Sequence, residues 1–261
     1  MSWFKVARVQ LRLAVLGELQ YRVNLLVQLG QSMIALATGL LALSLVFQQV
    51  DRLNGWSAPQ LLVVMGTHLL VGGLLQSWIQ PNMARLIEDV RSGGLDLLLT
   101  RPQDAQLLVS LREFRLWRLV DVLLGGIVLT VALRRLGGEV GAGQTLAFAL
   151  LVALGVAMLY SVWLMLSASA FWVIRGGDLL EVFSSFLQAG RWPVDLYPPW
   201  LRGTLTFILP MAFAVTLPAE TLARHMEPRV LLLAAWLAVI LAVLARGVWQ
   251  AGLRRYAGAS A

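Results

Sequence analysis

The residues that could carry chemistry in this chain are few and isolated. His68 lies in the middle of an apolar run, and Asp121 lies near the end of another, three residues after Arg118. An ionisable group inside an apolar span is a candidate functional site. A neutral histidine hydrogen-bonded across helices, and an i,i+3 ion pair of Arg118 with Asp121, explain both more simply. The serines between residues 161 and 169 have no evident histidine or aspartate partner, which disfavours an intramembrane nucleophile.

Known catalytic motifs are absent from the sequence. There is no GxxxxGK[ST] phosphate loop, so the chain is not expected to hydrolyse ATP, and there is no HExxH or GxSxG motif. The chain has two histidines and no cysteine, which excludes disulfides and thiol chemistry and disfavours a transition-metal site. We therefore predict a non-catalytic protein that binds no metal and no cofactor itself.

The composition is that of a membrane protein. Apolar residues make up 59% of the 261 residues and charged residues only 13%, whereas soluble domains carry about 25% charged residues. The mean hydropathy is +0.75, and several apolar runs approach the roughly 20 residues that cross a bilayer. The net charge of +7 could indicate nucleic-acid binding. The basic residues lie at the ends of apolar segments, however, where lipid headgroups explain them, so no nucleic-acid partner is expected.

Six apolar elements position the remaining residues. We predict an all-α polytopic fold, a single domain over residues 1–261, with transmembrane helices at 23–47, 59–80, 116–136, 144–174, from 179 onward, and 230–253. The fifth element is the weakest, because only the short run 179–190 precedes a break at Arg191.

The basic residues also predict the orientation. Lys5, Arg8 and Arg12 share one helical face, so residues 1–22 are predicted to form an interfacial helix on the lipid surface. With the N-terminus in the cytoplasm and six spans, the cytoplasmic segments hold 14 of the 21 Lys and Arg residues. This bias predicts cytoplasmic N- and C-termini, with Arg191 counted on the outer side.

A charged segment, 81–118, separates the second and third apolar elements. Met83, Leu86, Ile87 and Val90 recur at helical spacing between charged residues, which predicts an amphipathic helix lying along the membrane surface. Ser92-Gly93-Gly94 ends it, Leu95 to Thr100 form a short apolar turn, and a second helix from Gln103 leads into the third span. A plain solvated loop would explain the charges, but it would not explain the Gly-Gly and Pro102 bracket around the leucines.

A proline-rich segment, 191–228, follows the fifth element. Five prolines fall within residues 193–218, which rules out one straight helix, yet residues 201–217 are too apolar for a loop in water. Broken backbone at membrane depth is tolerated only inside protein or beside a cavity. We therefore predict a re-entrant hairpin that enters from the outer face. The alternative is a transmembrane helix kinked at Pro210.

These two segments together resemble the permease subunit of ABC-2-type exporters. The matching residues are Ile87, Gly94, Leu95, Asp96, Leu98, Leu99, Arg101 and Pro102 in the first segment, and Tyr197-Pro198-Pro199-Trp200-Leu201 and Ile208-Leu209-Pro210-Met211-Ala212-Phe213 in the second. The resemblance covers nearly the whole chain. It implies a dimer of permeases in a bacterial inner membrane, bound to two separate ATPase subunits that carry ATP and Mg.

The resemblance also implies roles for particular residues. The coupling element that contacts the ATPase would contain Glu88, Gly93, Gly94, Leu95, Asp96, Leu97, Leu98, Leu99, Arg101 and Pro102. The three consecutive leucines would fill a groove on the ATPase, and Asp96 and Arg101 would fix the register. The outer hairpin, acting as the exit gate, would contain Trp192, Pro193, Tyr197, Pro198, Pro199, Trp200, Pro210, Phe213 and Pro218.

The function expected from the resemblance is ATP-driven export of a hydrophobic or amphipathic substrate. A proton-coupled secondary transporter is the alternative, but it would need intramembrane carboxylates, and the spans offer only Asp121 and the titratable His68. An intramembrane protease or lipid transferase is a more remote alternative, because no serine has an evident catalytic partner.

Overall fold

Long apolar runs become helices because lipid cannot satisfy backbone N–H and C=O groups, which must then bond within their own segment. The computed structural model describes residues 22–137, 140–172, 176–224 and 228–259. These ranges are mostly helical and contain no strand, which confirms the predicted all-α class. The predicted interfacial helix, 1–22, lies outside the described residues except for its last residue.

Eleven α-helices occur within the described ranges. They are α1 (Arg22–Phe47), α2 (Ala58–Leu74), α3 (Gln80–Ser92), α4 (Asp96–Leu99), α5 (Ala105–Ser110), α6 (Leu119–Leu136), α7 (Ala142–Ala168), α8 (Gly176–Ala189), α9 (Pro199–Gly203), α10 (Leu217–Ala223) and α11 (Pro228–Ala259). Wider π-helical turns join some of them, at Leu75–Ile79, Thr204–Ile208 and Ala212–Thr216.

Five helical segments of the described chain are long and apolar enough to cross a membrane, and a bent pair of helices makes a possible sixth. The five are Leu26–Phe47, Ala58–Ser92, Leu116–Leu136, Ala142–Phe171 and Pro228–Tyr256. Helix α8 is too short to be among them, since its 14 residues extend only about 21 Å. The sequence analysis counted the fifth apolar element as a transmembrane helix, although a weak one, whereas in the structure it is not a complete helical span because α8 ends at Ala189.

The second span does not end at the membrane surface. Residues Ala58–Ser92 form one helical segment of 35 residues, about 52 Å long, so about 20 Å projects beyond a 30 Å hydrocarbon layer. The apolar face of α3 is buried against protein, with Met83, Leu86 and Ile87 at most 4% exposed. The prediction that this helix lies on the lipid surface is therefore wrong, because helices α5, α7 and α8 cover its apolar stripe.

Helices α2 and α6 share the most extensive contact of any two elements in the described part of the chain. A Cβ atom added at Gly125 would lie 2.6 Å from the backbone nitrogen of Leu70, and one added at Gly73 would lie 2.8 Å from that of Val122. A real Cβ atom cannot approach another heavy atom so closely, so only glycine fits at these two positions and any larger residue would force the helices apart. The pair is therefore expected to move as one body.

The proline-rich segment is folded back on itself. Its two helical arms, Pro199–Ile208 and Ala212–Ala223, are bent by 77° relative to each other. The inner part of the second arm packs on α7, where a Cβ atom at Gly155 would lie 2.4 Å from the Cα of Ala214. Gly155 is about 20 Å along α7 from its start, so the bend lies roughly halfway through the layer.

Both ends of this segment contact the loop between α1 and α2. Before the first arm, the Asn54 side chain donates a hydrogen bond to the carbonyl oxygen of Asp195 at 2.9 Å. After the second arm, Arg224 donates to the carbonyl oxygen of Gly55 at 3.1 Å and lies 4.0 Å above the Trp56 ring. The chain thus enters and leaves on one side of the molecule. This geometry favours the re-entrant hairpin over a kinked span.

Candidate functional site

The segment between the second and third spans forms a compact elbow, which we define as residues 88–102. Gly93 ends α3 in the left-handed conformation with φ of 76°, which favours glycine. The Leu95 N–H then donates to the carbonyl oxygen of Asp89 at 3.2 Å, and the single turn of α4 follows. The sequence signals for the end of the helix and for the apolar turn were therefore correct.

The predicted coupling residues divide into exposed and buried groups. Leu95 is fully buried and Leu98 is 6% exposed, so both anchor the elbow to the protein. Leu97 is 75% exposed and Leu99 is 38% exposed. Gly94 is half-buried, and the remaining predicted coupling residues are exposed: Glu88, Gly93, Asp96, Arg101 and Pro102. Because Leu98 faces inward, only Leu97 and Leu99 of the three leucines are available to a partner.

A buried carboxylate fixes the elbow from below. Asp89 is 3% exposed and accepts hydrogen bonds from Arg112 and, at 3.3 Å, from the Nε of Arg85. A buried charge is tolerated only when it is paired in this way. In the sequence, Asp89 is one of several charged residues between the apolar positions of this helix, and nothing in its spacing distinguishes it from Glu88.

A buried asparagine, Asn82, holds the segment 111–115, which follows the elbow, against the start of α3. The Asn82 side chain donates to the carbonyl oxygens of Trp78 and Glu113 and accepts from the N–H groups of Arg112 and Glu113, all between 2.6 and 2.9 Å. Residues 111–115 are therefore irregular, whereas a helix running from Gln103 into the third span was predicted. The N–H of Arg115 reinforces the tie by donating to the Ser77 carbonyl oxygen at 2.7 Å.

The start of α5, directly after the elbow, is bonded to the last span, α11. Asp104 caps α5 by accepting from the N–H of Gln106 at 2.9 Å, and Arg246 donates to both carboxylate oxygens of Asp104 at 2.5 and 3.1 Å. The bound Arg246 guanidinium lowers the pKa of Asp104, and the backbone N–H groups of Leu107 and Gln106 also lower it, whereas burial opposes them. Arg246 also donates to the Gln106 side chain at 2.7 Å.

An aromatic pair connects the end of α5 to the fourth span, α7. The Tyr160 hydroxyl on α7 is 2.7 Å from the Ser110 hydroxyl, and its ring is stacked on Trp78 with centroids 6.4 Å apart. The indole N–H of Trp78 donates to the carbonyl oxygen of Ser110 at 2.6 Å. At the tip, the Tyr256 hydroxyl of α11 hydrogen-bonds the Asp96 carboxylate. The elbow is thus braced by three spans. Sequence spacing could not reveal these partners because they lie 50 or more residues apart.

The predicted hairpin residues also occupy different environments. Pro193, Pro210, Phe213 and Pro218 are buried, whereas Pro198, Pro199 and Trp200 are exposed. Trp192 and Tyr197 are half-buried, and the Tyr197 hydroxyl donates to the carbonyl oxygen of Ala189 at 2.8 Å. The hairpin therefore has a buried apolar part, which includes Pro210 and Phe213, and an exposed part at Pro198 to Trp200 on the side of the α1–α2 loop.

The isolated ionisable residues lie beside one another. Asp121 is 4.0 Å from Arg118, and it also accepts hydrogen bonds from Ser32 and, at 3.2 Å, from Gln28. The predicted pairing is confirmed, and α1 supplies two partners that the sequence did not indicate. No hydrogen bond to His68 occurs among the described residues, and no group of three or more His, Cys, Asp or Glu side chains there could hold a metal ion.

The fold and the braced elbow together define a multi-pass, all-α membrane protein whose charged element projects beyond the lipid. Comparison with family models then assigns it, because the model described as ABC-2 family transporter protein matches residues 33–260. The chain belongs to this family. It is a membrane permease component of an ABC transporter and is not itself catalytic, and permeases of this family work with ABC ATPases. Searches of curated proteins and of solved structures gave no match.

Proposed function

We propose that this chain is the permease half of an ATP-driven exporter, and that the elbow is the surface on which a separate ABC ATPase docks. The observation that carries this proposal is the exposure of Leu97 and Leu99 at the tip of a braced element. Exposed apolar side chains on a rigid support are typical of docking anchors that a partner covers. Asp96 and Arg101, which flank these leucines, would set the register through polar contacts.

The continuous helix from α2 to α3 provides the path for mechanical coupling. Closure of two ATPases on ATP and Mg would push the elbow, and a helix without an intervening loop would carry that displacement into the second span. Helix α6 would follow, because it packs against α2 at glycine contacts and because Arg115 is bonded to Ser77. The permease would then shift between inward- and outward-facing populations.

In the proposed complex, the permease has a defined orientation in the membrane and a fixed number of partners. The elbow and both termini would lie in the cytoplasm of a bacterial cell, and the hairpin would cover the exit on the outer side of the inner membrane. Two permease copies, identical or related, would assemble with two ATPases. Helices α1 and α11 expose much of their apolar surface, being only 22% buried over their most apolar windows. These helices would face lipid or the second copy.

The test is co-purification of the permease with its ABC ATPase partner. The variant Asp96→Arg plus Leu97→Asp is expected to lose the ATPase, because it inverts one charge and removes one apolar anchor. The matched control is Asp51→Arg plus Val50→Asp, which makes the same changes at exposed positions in the α1–α2 loop. Full complex formation and full ATP-dependent transport by the elbow variant would reject the proposal.

A further inference from the structure

A polar cavity lies between α1, α2, α6 and α8, within the apolar part of the molecule. It has a volume of about 180 Å³ and is lined by four glutamines, Gln28, Gln31, Gln76 and Gln188, together with His68 and Arg191. A second cavity of about 270 Å³ shares His68, Gly72, Gln76 and Gln188 with the first, so the two adjoin. Amide, imidazole and guanidinium groups at this depth need polar partners.

The depth of Arg191 in the membrane follows from its neighbours. A Cβ atom at Gly190 would lie 3.4 Å from the His68 ring nitrogen Nδ1. His68 is about 15 Å along the second span from its start, which is half of a 30 Å hydrocarbon layer. Arg191 is therefore close to mid-membrane. The sequence-based count placed it on the outer side, whereas α8 ends only about 21 Å from its start.

The charges around this cavity do not balance. Asp121 is already engaged by Arg118, Gln28 and Ser32. Arg191 lines the same cavity, but it has no ion pair and no side-chain hydrogen bond with any described residue. An arginine held in a low-dielectric site without an acidic partner is costly unless an anion joins it. Arginine is also the side chain best suited to carboxylate and phosphate groups.

The cavity borders a pocket that lies towards the elbow side of the molecule. An adjoining pocket of about 310 Å³ is lined by Arg115, Trp117 and Arg118 and shares Gln28 and Arg118 with the central cavity. These arginines lie at the start of the third span, on the same side as the elbow. Towards the opposite side, α1 and α2 touch, since a Cβ atom at Gly39 would lie 2.3 Å from the methyl carbon of Met65. Basic side chains therefore lie between the elbow side and the cavity that Arg191 lines.

From this arrangement we infer that the cavity binds the anionic group, a carboxylate or a phosphate, of the transported molecule, with Arg191 as its principal ligand. The glutamine amides supply neutral hydrogen bonds, and Arg115 and Arg118 attract the anion at the entrance. The inference rests on the proposed transport function, and it replaces a purely hydrophobic substrate with one that carries a negative charge. The same chemistry fits an anionic amphiphile and a free anion.

The experiment measures ligand binding to the purified full-length chain in an uncharged detergent, without any ATPase. Dodecyl phosphate, inorganic phosphate and dodecyltrimethylammonium are titrated, and the thermal unfolding midpoint is followed. Wild type is expected to be stabilised by at least one of the two phosphates and not by the ammonium compound. Stabilisation by dodecyl phosphate alone identifies an amphiphile, and stabilisation by inorganic phosphate identifies a free anion. An equal shift with the ammonium compound would overturn the inference.

Variants assign the effect to the cavity. Arg191→Gln is expected to weaken phosphate binding about tenfold or more, the size of one lost charge-assisted hydrogen bond, while Arg191→Lys retains part of it. Arg134→Gln, at an exposed position on α6 outside the cavity, is the matched control and should bind normally. Unchanged binding by Arg191→Gln would overturn the inference.

A structural role for Arg191 is tested on the same samples. Without ligand, Arg191→Gln should unfold at the same temperature as wild type or higher, because an unpaired charge has been removed. A fall of several degrees would mean that Arg191 stabilises the fold, and it would also overturn the inference. Because no ATPase is present, these results are independent of whether the elbow docks one.

Discussion

At the scale of single residues, the structure separates side chains that look equivalent in sequence. Asp89 and Glu88 are adjacent carboxylates on α3, yet Asp89 is buried with two arginines and Glu88 is exposed. Of these two carboxylates, only Asp89 helps to hold the elbow together, since its removal leaves Arg112 without its partner. The energetic cost of losing a charge depends on this difference in burial.

Asp89→Asn is therefore expected to destabilise the protein by about 2–3 kcal/mol, because a buried carboxylate that accepts hydrogen bonds from two arginines loses its charge. Glu88→Gln, one residue away, should change the unfolding midpoint little. Thermal unfolding of both variants in the same detergent compares them. Equal midpoints for the two variants would show that Asp89 does not brace the elbow.

At the scale of elements, three spans support the elbow from different positions in the sequence. Helix α3 continues from the second span, α7 contributes Tyr160, and α11 contributes Arg246 and Tyr256. The last two helices also pack together, since the Phe171 ring, which follows α7, lies 5.8 Å from the ring of Trp249 on α11. The elbow is therefore mounted on a bundle of helix ends.

The link between Asp104 and Arg246 predicts a pH dependence. Because Arg246 lowers the pKa of Asp104 in the folded protein, the link stabilises the fold at pH values above the ordinary pKa of about 4. That stabilisation is lost as the pH falls through the lowered folded-state value. Asp104→Asn should thus cost up to about 1 kcal/mol at neutral pH, since the pair is partly exposed.

The measurement is the unfolding midpoint of Asp104→Asn and wild type from pH 7 downward, and the difference should shrink as the pH falls below the ordinary pKa of about 4. Asp51→Asn, at an exposed carboxylate without an ion pair among the described residues, is the control and should follow wild type throughout. A deficit of Asp104→Asn that stays constant as the solution is acidified would contradict the ionic link.

At the scale of the whole molecule, the contacts divide it into two ends. The elbow, the irregular residues 111–115 and the end of α11 lie at one end, and the α1–α2 loop with both ends of the hairpin lies at the other. The central cavity lies between these ends, with the pocket lined by Arg115 and Arg118 on the elbow side and the contact of Gly39 with Met65 on the other side. In the proposed transport cycle this arrangement is an inward-facing state.

The two ends can be assigned by cysteine labelling, because the natural chain has no cysteine. Single cysteines at Trp200 and Arg229, which precede and follow the bend of the hairpin, should both react with a membrane-impermeant maleimide in intact cells. A cysteine at Leu97 should react only after the membrane is permeabilised. Protection of one of the two hairpin positions in intact cells would instead indicate a kinked helix that crosses the membrane.

The sequence by itself determined the helical class, five of the six predicted spans, the Gly-Gly end of α3 and the break at the prolines. These features depend on local apolar runs and backbone preferences, which are written in consecutive residues. Only the tertiary structure decided that Asp89 and Asn82 brace the elbow, that Leu98 faces inward, and that Arg191 and His68 line one cavity. Those properties arise when helices distant in sequence pack together, and burial and charge balance have no value until that packing exists.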